Sequence, residues 1–254
     1  MRRVLLRVDR KAAPPGRVRR SAWIGLAAVV AMGAVLAGCG SDEDASRTLE
    51  RALSRLIGPA QHYQMRVAGA SGSRLKQVKV RANRLSAGEK LVFDSAAMDL
   101  TEVRFDRQAR ELLGVERADF SAVLLQEDLN YHLQSRSSLM RGLRLRITPN
   151  GAQLRGSADI PGVNLPVTPD LTLDGTLEVD DAGRLCFRPK QIRVVGIEVP
   201  AIAAQVLATQ INPLVDLTGG RLPIYLRGFE LDNGEVQLTG RALFRPGRYP
   251  ELER

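Results

Sequence analysis

The sequence predicts an α+β fold in which antiparallel sheet dominates and a few helices pack against it. Three observations carry that expectation. Apolar and polar residues alternate with period two through several segments, tight-turn signals punctuate those segments, and two stretches break the pattern with helical character.

The elements follow in chain order. Leu49, Leu53, Leu56 and Ile57 recur at helical spacing and Gly58-Pro59 stops the run, so residues 46–58 read as one amphipathic helix. Such a stripe suits a bilayer surface, but packing on the protein's own sheet is the commoner use. Strand patterns come next: Val78 and Val80 alternate with Lys79 and Arg81, and Leu143, Leu145 and Ile147 with Arg144, Arg146 and Thr148. Leu171, Leu173, Leu177 and Val179 alternate with Thr172, Asp174, Thr176, Glu178 and Asp180. Each pattern describes a strand with one apolar and one wet face. Pro149-Asn150-Gly151, Asp180 to Gly183, and Asp232-Asn233-Gly234 each lie between two such runs and read as hairpin turns. The stretches Asn150–Ala158 and Asn233–Ala242 resemble each other with one insertion, a hint of duplication.

Two helices interrupt the strands. One spans 126–134, after the strand-like run 120–125. The other spans 200–211, with Pro200 in its first turn and Asn212-Pro213 at its end. The second carries no charge, so it should be buried on most sides, against the sheet or a bound apolar ligand.

The N-terminus reads as an address. Residues 1–20 hold eight basic residues and the single acid Asp9, an uncharged stretch runs from Ala22 to Gly38, and Leu36-Ala37-Gly38-Cys39 resembles the bacterial lipobox. In signals of that kind the peptide is cut before the cysteine, whose sulfur carries a diacylglycerol. This makes residues 1–38 a lipoprotein signal peptide, Cys39 the lipid attachment site and 39–45 an acidic linker. An uncleaved membrane helix is the other reading, at the short end of the ~17–25 residues a span needs. Arg19-Arg20 raises twin-arginine export, but the residues after it match that pattern poorly.

Charge then changes meaning. The whole chain has 37 Lys+Arg against 28 Asp+Glu, a net charge of +9. Without residues 1–38 it keeps 29 bases and 27 acids, a charge of +2. That balance, export, and a 4% aromatic content argue against nucleic acid as a partner. Three basic clusters remain: Arg74/Lys76/Lys79/Arg81/Arg84, Arg141/Arg144/Arg146 and Arg184/Arg188/Lys190/Arg193. Each reads as a solvated sheet face or, alternatively, as a contact for anionic lipid headgroups.

Catalytic signatures are missing from the sequence: it has no phosphate loop, HExxH, nucleophile elbow or CxxC. Asp128 and His132 stand i, i+4 on a helix, a spacing that suits a shared proton or metal but more often a solvated pair. Cys186 sits in a strand and reads as a small hydrophobe. No metal and no cofactor is expected.

Two stretches together resemble a known group. The first runs from Met98-Asp99-Leu100-Thr101-Glu102-Val103-Arg104-Phe105-Asp106 on to 118–130. The second runs from Ile192 to Pro200, through the apolar helix to Ile211-Asn212-Pro213, and on to Leu222-Pro223-Ile224. They resemble the LmeA-like phospholipid-binding family of bacterial envelope proteins, over roughly residues 60–243. The family is distantly similar to tubular lipid-binding (TULIP-type) domains. The resemblance implies a long curved antiparallel sheet wrapping two or three helices around an apolar groove, in a domain of residues 60–245 with a tail at 246–254. It implies no catalytic motif, hence a non-enzymatic protein whose partners are a membrane, through the lipid anchor, and phospholipid or another acyl lipid. The lipobox departs from the actinobacterial members of the family and points to a tethered carrier or local scaffold in the cell envelope. Ile202, Val206, Leu207, Ile211, Leu214, Ile224 and Leu226 are the groove candidates, and a filled core is the competing use for each. A structural lipoprotein that binds a protein partner is the rival function, with strand addition at the edges after Leu143–Ile147 or Leu222–Leu231.

Overall fold

The computed structural model describes residues 56–88, 90–106, 111–136, 140–158, 168–194, 207–220 and 222–244. The expected signal peptide, Cys39, the linker, most of the 46–58 helix and the 246–254 tail lie outside these residues. Within them, strands are β1 (His62–Ser71), β2 (Arg74–Ser86), β3 (Val92–Asp106), β4 (Glu111–Gly114), β5 (Arg117–Leu125), β6 (Met140–Thr148), β7 (Gly151–Ala158), β8 (Asp170–Val179), β9 (Leu185–Val194), β10 (Ile224–Asp232) and β11 (Glu235–Ala242). Helix α1 (Gln126–Arg136) lies between β5 and β6. Residues 56–57 and 207–211 are also helical.

The strands form two antiparallel sheets where the sequence predicts one. The larger has seven strands, in the order β1-β2-β3-β5-β11-β10 with β4 paired to β3; the smaller is β6-β7-β8-β9. The chain builds most of the first sheet, passes through α1 into the second, and returns to the first with β10 and β11. All three expected hairpins form, with Thr148 opposite Gly151, Val179 opposite Leu185, and Asp232 opposite Glu235.

Helix α1 explains why the smaller sheet ends at β6. Asn130 Nδ2 donates to Leu145 C=O at 2.9 Å, and Leu145 N–H donates to Asn130 Oδ1 at 2.6 Å. One turn earlier Ile147 N–H donates to Gln126 Oε1 at 2.7 Å, and one turn later Gln134 Nε2 donates to Leu143 C=O at 3.1 Å. Four helical residues rise ~6 Å and two strand residues ~6.6 Å, so amides at i, i+4 and i+8 meet alternate residues of an antiparallel strand. The helix replaces the next strand with side chains.

At the other edge, Asn212 does the same for β9. Its Oδ1 accepts from Phe187 N–H at 2.7 Å and its Nδ2 donates to Phe187 C=O at 2.9 Å, while Leu185 N–H donates to Val215 C=O at 3.0 Å. The β6 edge predicted for strand addition is therefore occupied at Leu143, Leu145 and Ile147. On β10, the N–H of Ile224 bonds Leu217 C=O and that of Leu226 bonds Gly183 C=O. That last bond ties the sheets together. Gly183 has φ 74°, and a Cβ there would stand 3.0 Å from Tyr225 Cα, so only glycine makes the turn and the contact.

Strands β2 and β3 stay apolar on one face by changing phase twice. Their buried residues run Leu75, Val78, Val80, Ala82, Leu85 and Phe93, Ala96, Met98, Leu100, Val103, Phe105. The jumps fall where Arg84 faces Asp94 and Lys76 faces Glu102, the two positions the paired register skips. Arg84 (φ 50°) and Glu102 (φ 48°) take the left-handed conformation there, an irregularity that bends and coils a strand pair. The core that results includes Phe93 and Phe120, edge to face at 6.1 Å between centroids.

The two similar hairpins sit in different sheets yet share a construction. Each has a register shift in its first strand, between Arg141 and Arg144 or between Leu226 and Gly228. Each then sets a glycine against that shift: Gly156, where a Cβ would lie 3.2 Å from Arg141 O, and Gly240, where it would lie 2.6 Å from Tyr225 O.

Candidate functional site

A cleft of about 1160 Å³ opens where four segments meet: residues 56–59, the β2–β3 turn, the C-terminal turn of α1 and the loop 213–224. Its apolar walls are Leu56, Leu91, Leu217, Leu222 and Ile224, each no more than 7% exposed. Its charged groups, Lys90, Arg136 and Asp216, are exposed and mark the mouth. Buried leucines beneath a charged rim suit a ligand with an apolar body and a polar end.

The mouth is held by local bonds. Arg136 Nη1 donates to Pro213 C=O at 2.8 Å and lies 3.5 Å from His132 Nε2, joining α1 to the loop. Asp216 Oδ1 accepts from Thr218 N–H at 2.9 Å and from Thr218 Oγ1 at 2.6 Å. Near the entry of β1, Tyr63 hydroxyl donates to Gly58 C=O, and burial pushes that phenol up to about 12. Under Ile57 the inner face of β1, β2, β3 and β5 leaves a void of only about 10 Å³, roughly a single probe sphere. The sheet is filled there, and open space lies at the cleft.

The groove candidates fall into three groups. Ile224 lines the cleft. Leu207, Ile211, Leu214 and Leu226 are buried in the same hydrophobic cluster as Ile224 but are not among the cleft's lining residues. Ile202 and Val206 lie outside the described residues. Leu56, Leu91, Leu217 and Leu222 complete the walls; Leu56 stood out in the sequence as part of a helix stripe, and Leu222 beside Pro223-Ile224.

The residues weighed for chemistry are occupied otherwise. Asp128 is not one half of a solvated pair with His132, because Arg84 forks both its carboxylate oxygens at 2.7 Å. His132 is 8% exposed. Cys186 is a free, buried cysteine whose thiol burial and the neighbouring Asp180 push up to about 11, which keeps it from the thiolate form that reacts. Among the described residues, no group of His, Cys, Asp and Glu is placed to hold a metal ion, and no helix is long and apolar enough to cross a membrane.

Several members of the basic clusters are paired. Arg184 bonds Asp180 at 2.7 Å, Arg188 bonds Glu178, and Arg193 bonds Asp174. The Arg184 bond, first among several causes, holds the Asp180 carboxyl below its ordinary value, and Gln153 ahead of Arg193 does the same for Asp174.

No curated protein and no solved structure matches the chain. A family model does: residues 45–241 match LmeA, described as LmeA-like phospholipid-binding. The match takes in both sheets, α1 and every wall of the cleft, and covers well over half of the sequence. This chain therefore belongs to the LmeA-like phospholipid-binding family.

Proposed function

We propose that the protein is a bacterial envelope lipoprotein that holds the acyl chains of a phospholipid in the cleft and performs no chemistry on them. Membership of a phospholipid-binding family, together with a cleft walled by buried leucines, carries the reading. Burying ten methylenes contributes about 8 kcal/mol, the scale of micromolar binding before ordering costs. Lys90 and Arg136 at the mouth suit the phosphate of such a lipid. Leu207, Ile211, Leu214 and Leu226 share the buried cluster of Ile224 and support it from within the core. The sheets and helices then serve as a TULIP-like holder.

Cys39, after cleavage of residues 1–38, carries the diacylglycerol anchor, with palmitate among its acyl chains. Two or more acyl chains keep a protein on a membrane where one does not. The protein is thus a tethered carrier in envelope lipid handling. Titration with a pyrene-labelled phospholipid tests the cargo: saturable binding, displaced by unlabelled phospholipid, is expected, and fluorescence that never saturates sinks the reading. Alkyne-palmitate labelling tests the anchor, which Cys39→Ser should abolish.

A further inference from the structure

A second concavity, about 800 Å³, lies along α1 and β6, on a different set of helix residues from the cleft. Arg144, Arg146 and Arg155 line it, with Tyr131 from the helix. Arg144 and Arg155 stand directly opposite each other in the β6–β7 register, and both are exposed. Like charges in that position destabilise a sheet. No carboxylate among the described residues pairs with Arg144 or Arg146, and Arg155 Nε donates to the neutral Gln153 at 2.8 Å. Glu127 is the acid in the lining. Asp174, on β8, is hydrogen-bonded by Gln153 and Arg193 and also feels the charge of Arg155, so Glu127 and Asp174 together leave the three arginines in excess. The larger sheet differs: Lys79 faces Asp99, and Asp119 lies near both Arg117 and Arg241.

Tyr131 is 61% exposed, an aromatic ring presented to solvent beside these cations. Lys90 Nζ sits 5.9 Å from the centre of that ring, and Lys90 also lines the mouth of the cleft. The cationic groove and the cleft mouth therefore meet at the Tyr131–Lys90 contact. An excess of arginine with an amphipathic aromatic is the combination that suits a bilayer's anionic headgroup layer.

We propose that the groove between α1 and the β6–β7 face is the surface by which the protein docks on an anionic bilayer. Arg144, Arg146 and Arg155 meet lipid phosphates, Tyr131 enters the headgroup layer, and the cleft mouth is brought beside the lipids it would take up. Docking needs only that the protein meets a membrane; it does not rest on the cleft holding lipid.

The test uses the full chain in vesicles of phosphatidylcholine, with or without phosphatidylglycerol. Phenylglyoxal labels accessible arginines, and peptide mass spectrometry reads each site. Labelling of Arg144, Arg146 and Arg155 should slow about five-fold with phosphatidylglycerol and recover in high salt, while exposed Arg66 on β1 stays unchanged. Equal labelling in the two vesicles, or slowing that salt leaves intact, overturns the proposal. The Arg144→Gln/Arg146→Gln variant should melt no lower than the wild type and keep its co-purifying phospholipid while losing the protection of Arg155; retained protection overturns the proposal as well. Because co-purifying phospholipid is read separately, a failure of docking is distinguishable from a failure of the cleft.

Discussion

Arg84 holds Asp128 through both carboxylate oxygens, Nη1 to Oδ2 and Nη2 to Oδ1, each at 2.7 Å. The arginine is the left-handed residue where β2 changes phase, and the aspartate lies in the first turn of α1. One fork thus ties the helix that closes the β6 edge to the residue where β2 changes phase in the larger sheet. Asp128 is 13% exposed and Arg84 33%, so the pair is only partly screened by water. Asp128→Ala should destabilise the protein by about 1.5–3 kcal/mol. Arg84→Lys should fall short of that loss, since lysine keeps the charge and loses the fork. Urea unfolding measures both; no change in midpoint for Asp128→Ala would contradict the account.

The two asparagine caps predict a local effect. Asn130→Ala leaves Leu145 N–H and C=O without partners, and Asn212→Ala does the same to Phe187. Each should cost about 1–3 kcal/mol, with faster hydrogen exchange at the Leu145 or Phe187 amide. Asn130→Asp tests the geometry further, because a carboxylate accepts from the Leu145 N–H but cannot donate to its carbonyl. It should fail to restore the alanine variant's loss.

Acid should erode stability through Asp174 and Asp180. Both carboxyls are held below the ordinary 3.8, so the folded state binds their protons less readily than the unfolded chain. Their contribution is complete above the unfolded value and is lost as pH falls through the lowered folded values. Melting temperature should therefore decline below about pH 4, and Asp180→Asn should flatten part of that decline. An identical acid profile in the variant would count against the Arg184 bond.

Cys186 makes the opposite prediction at high pH. Burial raises its thiol from 9.0 to about 11, so the folded state keeps the proton longer. Stability from this group is fully present below the unfolded value and is lost as pH rises through the folded one. Cys186→Ala should show a smaller alkaline loss than the wild type. At neutral pH, iodoacetamide should label Cys186 only after denaturant is added; rapid labelling of the native protein would contradict the burial.

How much of this was legible in the sequence depends on the length of each pattern. Strands β6 and β8 and the three hairpins were readable because alternation or a turn dipeptide runs unbroken across them. Only Val78 and Val80 were readable in β2, since Arg84 and the Lys76–Glu102 pair reset the period. The division into two sheets was hidden because each edge is closed by amides 9 to 25 residues away from their partners. The cleft was hidden for a related reason. Its apolar walls, Leu56, Leu91 and the trio Leu217, Leu222 and Ile224, come from three segments far apart in the chain, and none of these segments carries a periodic pattern that marks a wall.

Gly219 provides the most direct test of the lipid-binding claim. It lines the cleft, and a Cβ built there meets nothing within 4 Å, so Gly219→Trp adds an indole at the cleft's lining without a clash at its base. The measurement is phospholipid per protein chain, extracted from the purified full-length protein and quantified by mass spectrometry. Surrounding membrane lipid travels with wild type and variant alike, so the difference between them counts what the cleft holds. The account predicts a stoichiometric phospholipid in the wild type that is reduced in Gly219→Trp at unchanged melting temperature. Equal phospholipid in the two folded proteins would contradict it.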